Sequence, residues 1–333
     1  MAIKAFNENS KPTKTSKFMN LLIKFGIFPI TFDGDIVQVK MMSLKTFFHF
    51  IILNGLTLFS QITSLQDFSL STATTIDWIT IIIIQSCTLV VTNIPLVISF
   101  GLNNLDKKVI QNNSFQWPKQ GWEIIIAMLA FDLGSILNLS LTVDYLRIAY
   151  TLVSTLCIIP LFSLNPLFIA IMLETFQYNC KEIYRRNPKI FMIEGRQILI
   201  NYKNITRAFG NFFFLFYVSN QLMNIFFVYF LYLIFSTKKE FLWSDVMLLS
   251  AYLLDIFSVT LNLVALTKTV DETYEEIQNF RDEINERLLL STDEEERRQL
   301  EYLKNKSDNI ETMSGAGYFE VNKNTLTNML SIR

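Results

Sequence analysis

Polar side chains inside long apolar runs are the residues best able to do chemistry in this sequence. Asp132 and Asp255 are the clearest, because a carboxylate within a run that crosses a bilayer has to be paired or solvated. Amides occur in the last two runs, at Asn220, Gln221, Asn224 and Asn262. These groups predict either a polar ligand pocket between helices or interhelical hydrogen bonds that fix a bundle.

Aromatic residues near the ends of the runs form a second group: Trp78, Tyr145, Tyr150, Tyr229, Tyr232, Trp243 and Tyr252. Such positions are typical of the aromatic belt at a membrane interface. Alternatively, aromatic walls with a few polar anchors suit a cavity for a small organic molecule. The candidate ligand-binding residues are therefore Trp78, Asp132, Tyr145, Tyr150, Asn220, Tyr229, Tyr232, Tyr252 and Asp255.

The sequence lacks the residue patterns of common enzyme sites. Its one histidine, His49, lies in an apolar run, where a packed or interfacial role is far commoner than a ligand role. There is no Gly-rich phosphate loop, CxxC pair or HExxH motif. The net charge of −1 argues against a nucleic-acid partner. We predict that the protein is not an enzyme and has neither a cofactor nor a metal site.

Six apolar segments must position the candidate residues. The chain is 51% hydrophobic and holds 30 Phe, and its mean hydropathy of +0.32 exceeds that of a usual soluble domain. The segments are long enough to cross a bilayer as helices, and they run roughly over 44–64, 76–101, 121–143, 147–175, 211–237 and 243–268. The predicted fold is an all-α membrane helix bundle, multi-pass and located in the plasma membrane.

Lysine and arginine in the connections predict the orientation, because cytoplasmic connections carry an excess of these residues. The N-terminal segment 1–43 and the connection 176–210 are rich in them, whereas the connection 64–75 has none. We therefore expect a cytoplasmic N-terminal segment 1–43, a six-helix bundle over 44–268 with a basic cytoplasmic loop at 176–210, and a cytoplasmic region 269–333.

The region 269–333 has a helical pattern of its own. Apolar residues repeat at steps of three and four from Val270 to Leu288, which predicts that the sixth helix continues as an amphipathic helix. Residues 291–294 read as a capping box that starts a new helix. Gly315 and Gly317 then break the chain before a short last segment. The apolar stripe needs a partner, which is either the basic loop or another subunit.

Two short motifs resemble those of a known family. Residues 21–29, Leu-Leu-Ile-Lys-Phe-Gly-Ile-Phe-Pro, are similar to a Gly-x-x-Pro stretch before the first helix, and residues 315–330 to a Gly-x-Phe-x-Val-Asn/Asp-x-x-x-Leu stretch. Both resemble the arthropod gustatory receptor family, within the insect chemoreceptor superfamily of seven-helix ligand-gated cation channels. In that family a seventh helix with a Thr-Tyr-x5-Gln-Phe signature lines the pore. The sequence ends at Arg333 before this signature, so the seventh helix is expected to be missing.

The resemblance implies a chemosensory receptor subunit that serves sensory transduction. A tastant-like small molecule would bind in the outer half of helices two to six, and the cytoplasmic helix ends would join four subunits as a homo- or hetero-tetramer. Two alternatives are a seven-helix-type G-protein-coupled receptor and a small secondary transporter coupled through Asp132 and Asp255. The absence of an Asp/Glu-Arg-Tyr triplet after the third segment disfavours the former, and the absence of an internal hydropathy repeat disfavours the latter.

Overall fold

The protein is mostly helical, as the composition predicts. The computed structural model describes residues 24, 30–33, 36–39, 51, 54–55, 75–103, 118–139, 145–237 and 242–331. The helices are α1 (Thr75–Leu102), α2 (Gly121–Leu139), α3 (Tyr145–Tyr184), α4 (Pro188–Thr237), α5 (Trp243–Leu290), α6 (Glu294–Asp308) and α7 (Lys323–Leu330). Two antiparallel hairpins complete the described structure, β1 (Ile30–Asp33) with β2 (Ile36–Val39) and β3 (Ser314–Gly315) with β4 (Phe319–Glu320). The prediction of an all-α membrane helix bundle is confirmed.

Three helices in the described part of the chain are long and apolar enough to cross a membrane. They run over Trp78–Leu102, Pro188–Ser236 and Trp243–Leu290, judged by length and composition. These helices contain the predicted segments 76–101 (apart from its first two residues), 211–237 (apart from its last residue) and 243–268. The predicted segment 44–64 lies almost wholly outside the described residues.

The stretch 176–210 is helical rather than a loop, and only residues 185–187 lie between α3 and α4. Pro188 begins α4, where a missing N–H costs nothing because the first turn has no intrahelical acceptor for it. The Asn187 side chain accepts a hydrogen bond from the Ile190 N–H at 3.0 Å and caps this end. A buried stripe through this part of α4 explains the helix: Phe191, Ile198, Tyr202, Ile205 and Phe209. The basic side chains between them had suggested a loop.

Helix α5 is the central helix of the described bundle. It packs against α2, α3 and α4, while α1 packs against α4. Glycines mark two crossings. A Cβ on Gly101 would lie 2.9 Å from the carbonyl carbon of Ala208 in α4, and one on Gly134 would lie 3.1 Å from the carbonyl oxygen of Ala251 in α5. Small residues at such positions let helix backbones approach closely, which is how membrane helices gain packing energy.

The long amphipathic extension of α5 is present as predicted. The helix continues without a break to Leu290, and Val270, Ile277, Phe280 and Ile284 form its buried stripe. The predicted capping box at 291–294 is wrong in one residue. Ser291 caps the C-terminal end of α5, because its N–H donates to the Arg287 carbonyl at 2.9 Å. The N-cap of α6 is instead Asp293, whose side chain accepts a hydrogen bond from the Glu295 N–H at 3.0 Å.

Candidate functional site

Aromatic rings line the seam between α4 and α5, in the last part of α4 and the first part of α5. Phe230 stacks on Tyr252 with ring centroids 5.6 Å apart and planes within 10°. Phe227 lies 6.0 Å from Tyr252, and Tyr229 lies 5.9 Å from Phe230. We name Phe227, Phe230 and Tyr252 the aromatic wall. Flat apolar surfaces of this kind are typical of sites for small organic molecules.

Asp255 lies one helical turn from Tyr252 and reaches the backbone of α2. A Cβ on Gly134 would lie only 2.8 Å from its Oδ1 atom, so the glycine makes room for the carboxylate. Within the described part of the chain no group donates a hydrogen bond to this buried oxygen. A buried carboxylate oxygen without a donor is costly. It is therefore well suited to accept a hydrogen bond from the hydroxyl or amine of a ligand.

Three of the four intramembrane amides donate hydrogen bonds within the protein. Asn220 donates to the carbonyl of Phe216 in its own helix at 2.6 Å. Asn224 donates to the Thr260 hydroxyl of α5 at 3.2 Å, and Gln221 donates to the carbonyl of Met329 in α7. Gln221 and Asn224 thus follow the bundle-fixing interpretation of such residues.

The other candidate residues are not part of the aromatic wall, or their side chains lie outside the described residues. Trp78 in α1 and Asp132 in α2 are half-buried. Tyr232 in α4 is 67% exposed, so its ring faces outward. Tyr145 and Tyr150 belong to α3, but their side chains lie outside the described residues. The structure therefore brings together Tyr252 and Asp255, with Tyr229 beside Phe230.

Sequence reasoning missed Phe227, Phe230 and Gly134 as neighbours of the candidate residues. With 30 Phe in the chain, no single ring stands out by residue type. A usable signal was the spacing of Phe227 and Phe230, because residues three apart lie on one helix face.

A polar layer ties α2 and α3 to α5 just beyond the predicted span 243–268. Gln177 of α3 donates to the Thr273 hydroxyl at 2.9 Å. Gln120, directly before α2, accepts from the Thr269 hydroxyl at 3.2 Å and donates to Glu272 at 3.0 Å. These buried polar groups are satisfied by one another, so the layer orients the helices in addition to joining them.

Ion pairs flank this layer. Lys119 lies 3.2 Å from Glu272, and this hydrogen bond raises the pKa of the lysine. The Tyr184 hydroxyl donates to Glu276 at 2.7 Å. Burial, and then this bond, raise the pKa of Tyr184 far above its ordinary value, so the hydroxyl remains a donor at neutral pH.

No group of His, Cys, Asp or Glu in the described ranges is arranged to hold a metal ion.

The hairpin β3–β4 fastens the last helix to the bundle. Its Ala316 N–H donates to the Gly210 carbonyl of α4 at 3.0 Å. The ring of Phe319 packs 5.7 Å from that of Tyr217. At the start of α7, the Lys323 N–H donates to Asp271 of α5 at 3.1 Å. The segment 315–330, which carries the second of the two sequence motifs, is thus held between α4 and α5.

Comparison with known proteins gives a structural likeness without a sequence likeness. No family model and no curated protein sequence matches the chain. Two solved structures of the insect olfactory receptor OR5 from Machilis hrabei do match. One, determined in complex with eugenol, gives a TM-score of 0.62 at 11% identity and covers 95% of this chain and 96% of that chain. The other gives the same score and coverage at 13% identity. The chain has the fold of an insect olfactory receptor.

The likeness to OR5 extends over nearly the whole length of both chains, so the two share the arrangement of their helices. The identity to these structures is only 11–13%, so the likeness is one of fold.

Proposed function

We propose that this chain is a subunit of a chemosensory receptor in the plasma membrane, a ligand-gated cation channel of the gustatory type. Its ligand would be a small tastant-like molecule held at the seam between the last part of α4 and the first part of α5. The observation that carries the proposal is the fold shared with OR5, one structure of which contains a small organic molecule, eugenol. The gustatory type is supported by the motifs at 21–29 and 315–330.

The proposed ligand site combines the aromatic wall with the carboxylate of Asp255. The wall offers apolar contact, and the Oδ1 atom of Asp255 accepts a hydrogen bond that no described residue supplies. A site with an unpaired buried acceptor discriminates strongly in favour of ligands that carry a donor. Binding would bias the conducting equilibrium to the extent that the ligand prefers one state.

Exposed apolar residues near the start of α4 and at the end of α5 support assembly with further subunits. Ile193 is 74% exposed near the start of α4, and Leu289 and Leu290 are 87% and 73% exposed at the end of α5. Large apolar side chains exposed in this way suit contacts with another protein surface. The proposed assembly is a homo- or hetero-tetramer joined through these cytoplasmic helix ends.

A binding assay with matched tyrosine variants tests the proposed site. The purified chain in lipid nanodiscs is screened against radiolabelled small phenols, terpenoids and sugars, eugenol among them. Tyr252→Leu removes the central ring of the wall, whereas Tyr232→Leu removes an outward-facing ring of the same type. We expect Tyr252→Leu to weaken saturable binding by about five- to tenfold, in line with an aromatic contact of roughly 1–1.5 kcal/mol. Equal affinities in the two variants would show that the ligand does not bind at this seam.

Two further measurements separate the proposal from its alternatives. An N-terminal tag that is accessible outside intact cells would favour a G-protein-coupled receptor. Proton- or sodium-dependent uptake that Asp255→Asn abolishes would favour a secondary transporter. Ligand-evoked cation current without uptake is the outcome that the proposal requires.

A further inference from the structure

A groove lies between α4 and the segment 309–317, away from the aromatic wall. Its volume is about 380 Å³, within the range of small-ligand sites. We call it the α4 groove, and its main side chains are Tyr202, Lys203, Thr206, Arg207, Asn309 and Glu311. The backbone of the β3–β4 hairpin closes one side.

The α4 groove presents two cations that have no partner among the described residues. Lys203 and Arg207 are four residues apart, so their side chains lie on one face of α4. Both are exposed, and neither makes an ion pair or hydrogen bond with a described residue. Glu311 is the one carboxylate among the described lining residues, so the formal charge of the groove is positive.

Hydroxyl groups at the floor of the groove add donors. The hydroxyls of Tyr202 and Thr206 lie near each other but without the geometry of a hydrogen bond, and no other described group bonds to either. Tyr202 is almost fully buried. A lysine and an arginine at one opening are groups that bind a phosphate, because charged donors make short, strong bonds to its oxygens. The two hydroxyls lie buried beneath them.

The position of the groove along α4 matches the depth of lipid headgroups. Residues 203–210 directly precede the predicted span 211–237, on the side where basic residues are enriched. Basic pockets between helices at this level bind anionic headgroups. This step rests on the membrane disposition that the proposed function assumes.

We propose that the α4 groove binds a phosphate group, carried by an anionic lipid headgroup or by a soluble phosphate. Its two walls are α4 and the hairpin, which already meet through the Ala316–Gly210 hydrogen bond. A bound phosphate therefore holds the hairpin, and with it the start of α7, against α4. The site is separate from the ligand seam in residues and in chemistry.

The test compares phosphate binding by the full chain and two variants. The Lys203→Gln/Arg207→Gln double variant removes both cations. The matched control is Lys268→Gln, which removes an exposed cation on α5 outside the groove. The probes are phosphatidylinositol bisphosphate in phosphatidylcholine vesicles, phosphatidylcholine vesicles alone, and soluble inositol trisphosphate. Thermal midpoints of all variants verify that each is folded.

We expect the double variant to lose about tenfold or more in affinity for the phosphate probes, because two charged hydrogen-bonding partners are gone, while Lys268→Gln stays within about twofold. Tighter binding to the vesicles than to inositol trisphosphate identifies a lipid as the source, and equal binding identifies a soluble phosphate. A double variant that binds like Lys268→Gln would overturn the site, as would a wild type that binds none of the phosphate probes. Binding of the small organic panel is unaffected by the double variant, so failure here is distinct from failure of the proposed function.

Discussion

Arg287 is expected to hold the junction of α3, α4 and α5 together. Its Nη2 atom donates to the Tyr184 carbonyl at 2.7 Å and its Nη1 atom to the Arg186 carbonyl at 3.3 Å. These carbonyls lie at and just beyond the end of α3, where helix carbonyls lack partners and the helix dipole is negative. The guanidinium carbon also lies 4.0 Å from the centroid of the Phe191 ring, and Nε pairs with Glu283 at 2.6 Å. One planar side chain thus contacts all three helices.

The expected cost of Arg287→Ala is about 3 kcal/mol of the free energy of unfolding. Hydrogen bonds from a charged donor contribute roughly 1.5–3 kcal/mol each when buried, and a cation–π contact adds about 0.5–1. The side chain is 18% exposed, so the lower end of the range applies to the two carbonyl bonds, and the weaker one at 3.3 Å counts least. Arg287→Lys keeps the charge but loses the planar guanidinium that donates to two carbonyls at once. About half of the loss in the free energy of unfolding is therefore expected to remain.

The assay is thermal unfolding of the purified protein in nanodiscs, followed by intrinsic fluorescence. For a chain of 333 residues, about 3 kcal/mol corresponds to a fall in Tm of roughly 4 °C. The matched control is Arg298→Ala, whose Glu294 partner at 2.8 Å is on the exposed face of α6. That exposed pair is expected to change Tm by about 1 °C or less. Equal shifts for Arg287→Ala and Arg298→Ala would refute the reasoning.

Three further substitutions have defined outcomes. Gly134→Leu is expected to separate α2 from α5 and to lower the yield of folded protein, measured by size-exclusion chromatography, because even a Cβ would lie 2.8 Å from a carboxylate oxygen; an unchanged profile would contradict the close crossing. Gly315→Val is expected to displace the Phe319 ring, whose Cε2 atom would lie 2.8 Å from the new Cβ, and to increase protease cleavage of the hairpin; resistance equal to wild type would count against this docking. Tyr184→Phe removes the bond to Glu276 and is expected to cost about 1–2 kcal/mol in the unfolding assay, whereas no change would show that the bond is dispensable.

The sequence predicted where helices lie better than it predicted which helices pack against each other. The second segment, expected at 76–101, is α1 at Thr75–Leu102, and the apolar repeat beyond 268 correctly extends α5 to Leu290. Long apolar runs and helical periodicity are local signals. The pairing of α2 with α5 and of α1 with α4 is not local. Membrane helices are apolar all around, so no stripe marks the packed face, and close crossings depend on small residues such as Gly134.

The candidate site was only partly predictable for a similar reason. Asp255 and Tyr252 stand out in the sequence as a carboxylate and a ring near the end of an apolar run. The Phe227 and Phe230 rings that complete the wall are hidden among many phenylalanines. The helical nature of 176–210 was also missed, because its basic residues dominate the composition and conceal the buried stripe between them.

Photocrosslinking locates the ligand most directly. A photoreactive analogue of the tightest-binding compound in the small-molecule panel is irradiated with the protein in nanodiscs, and the labelled peptides are identified by mass spectrometry. Labels on α4 around 227–230 and on α5 around 252–255, suppressed by an excess of unlabelled compound, are the result predicted for a receptor whose ligand lies at the aromatic wall beside Asp255. Competable labels confined to other helices or to the region 269–331 would contradict it.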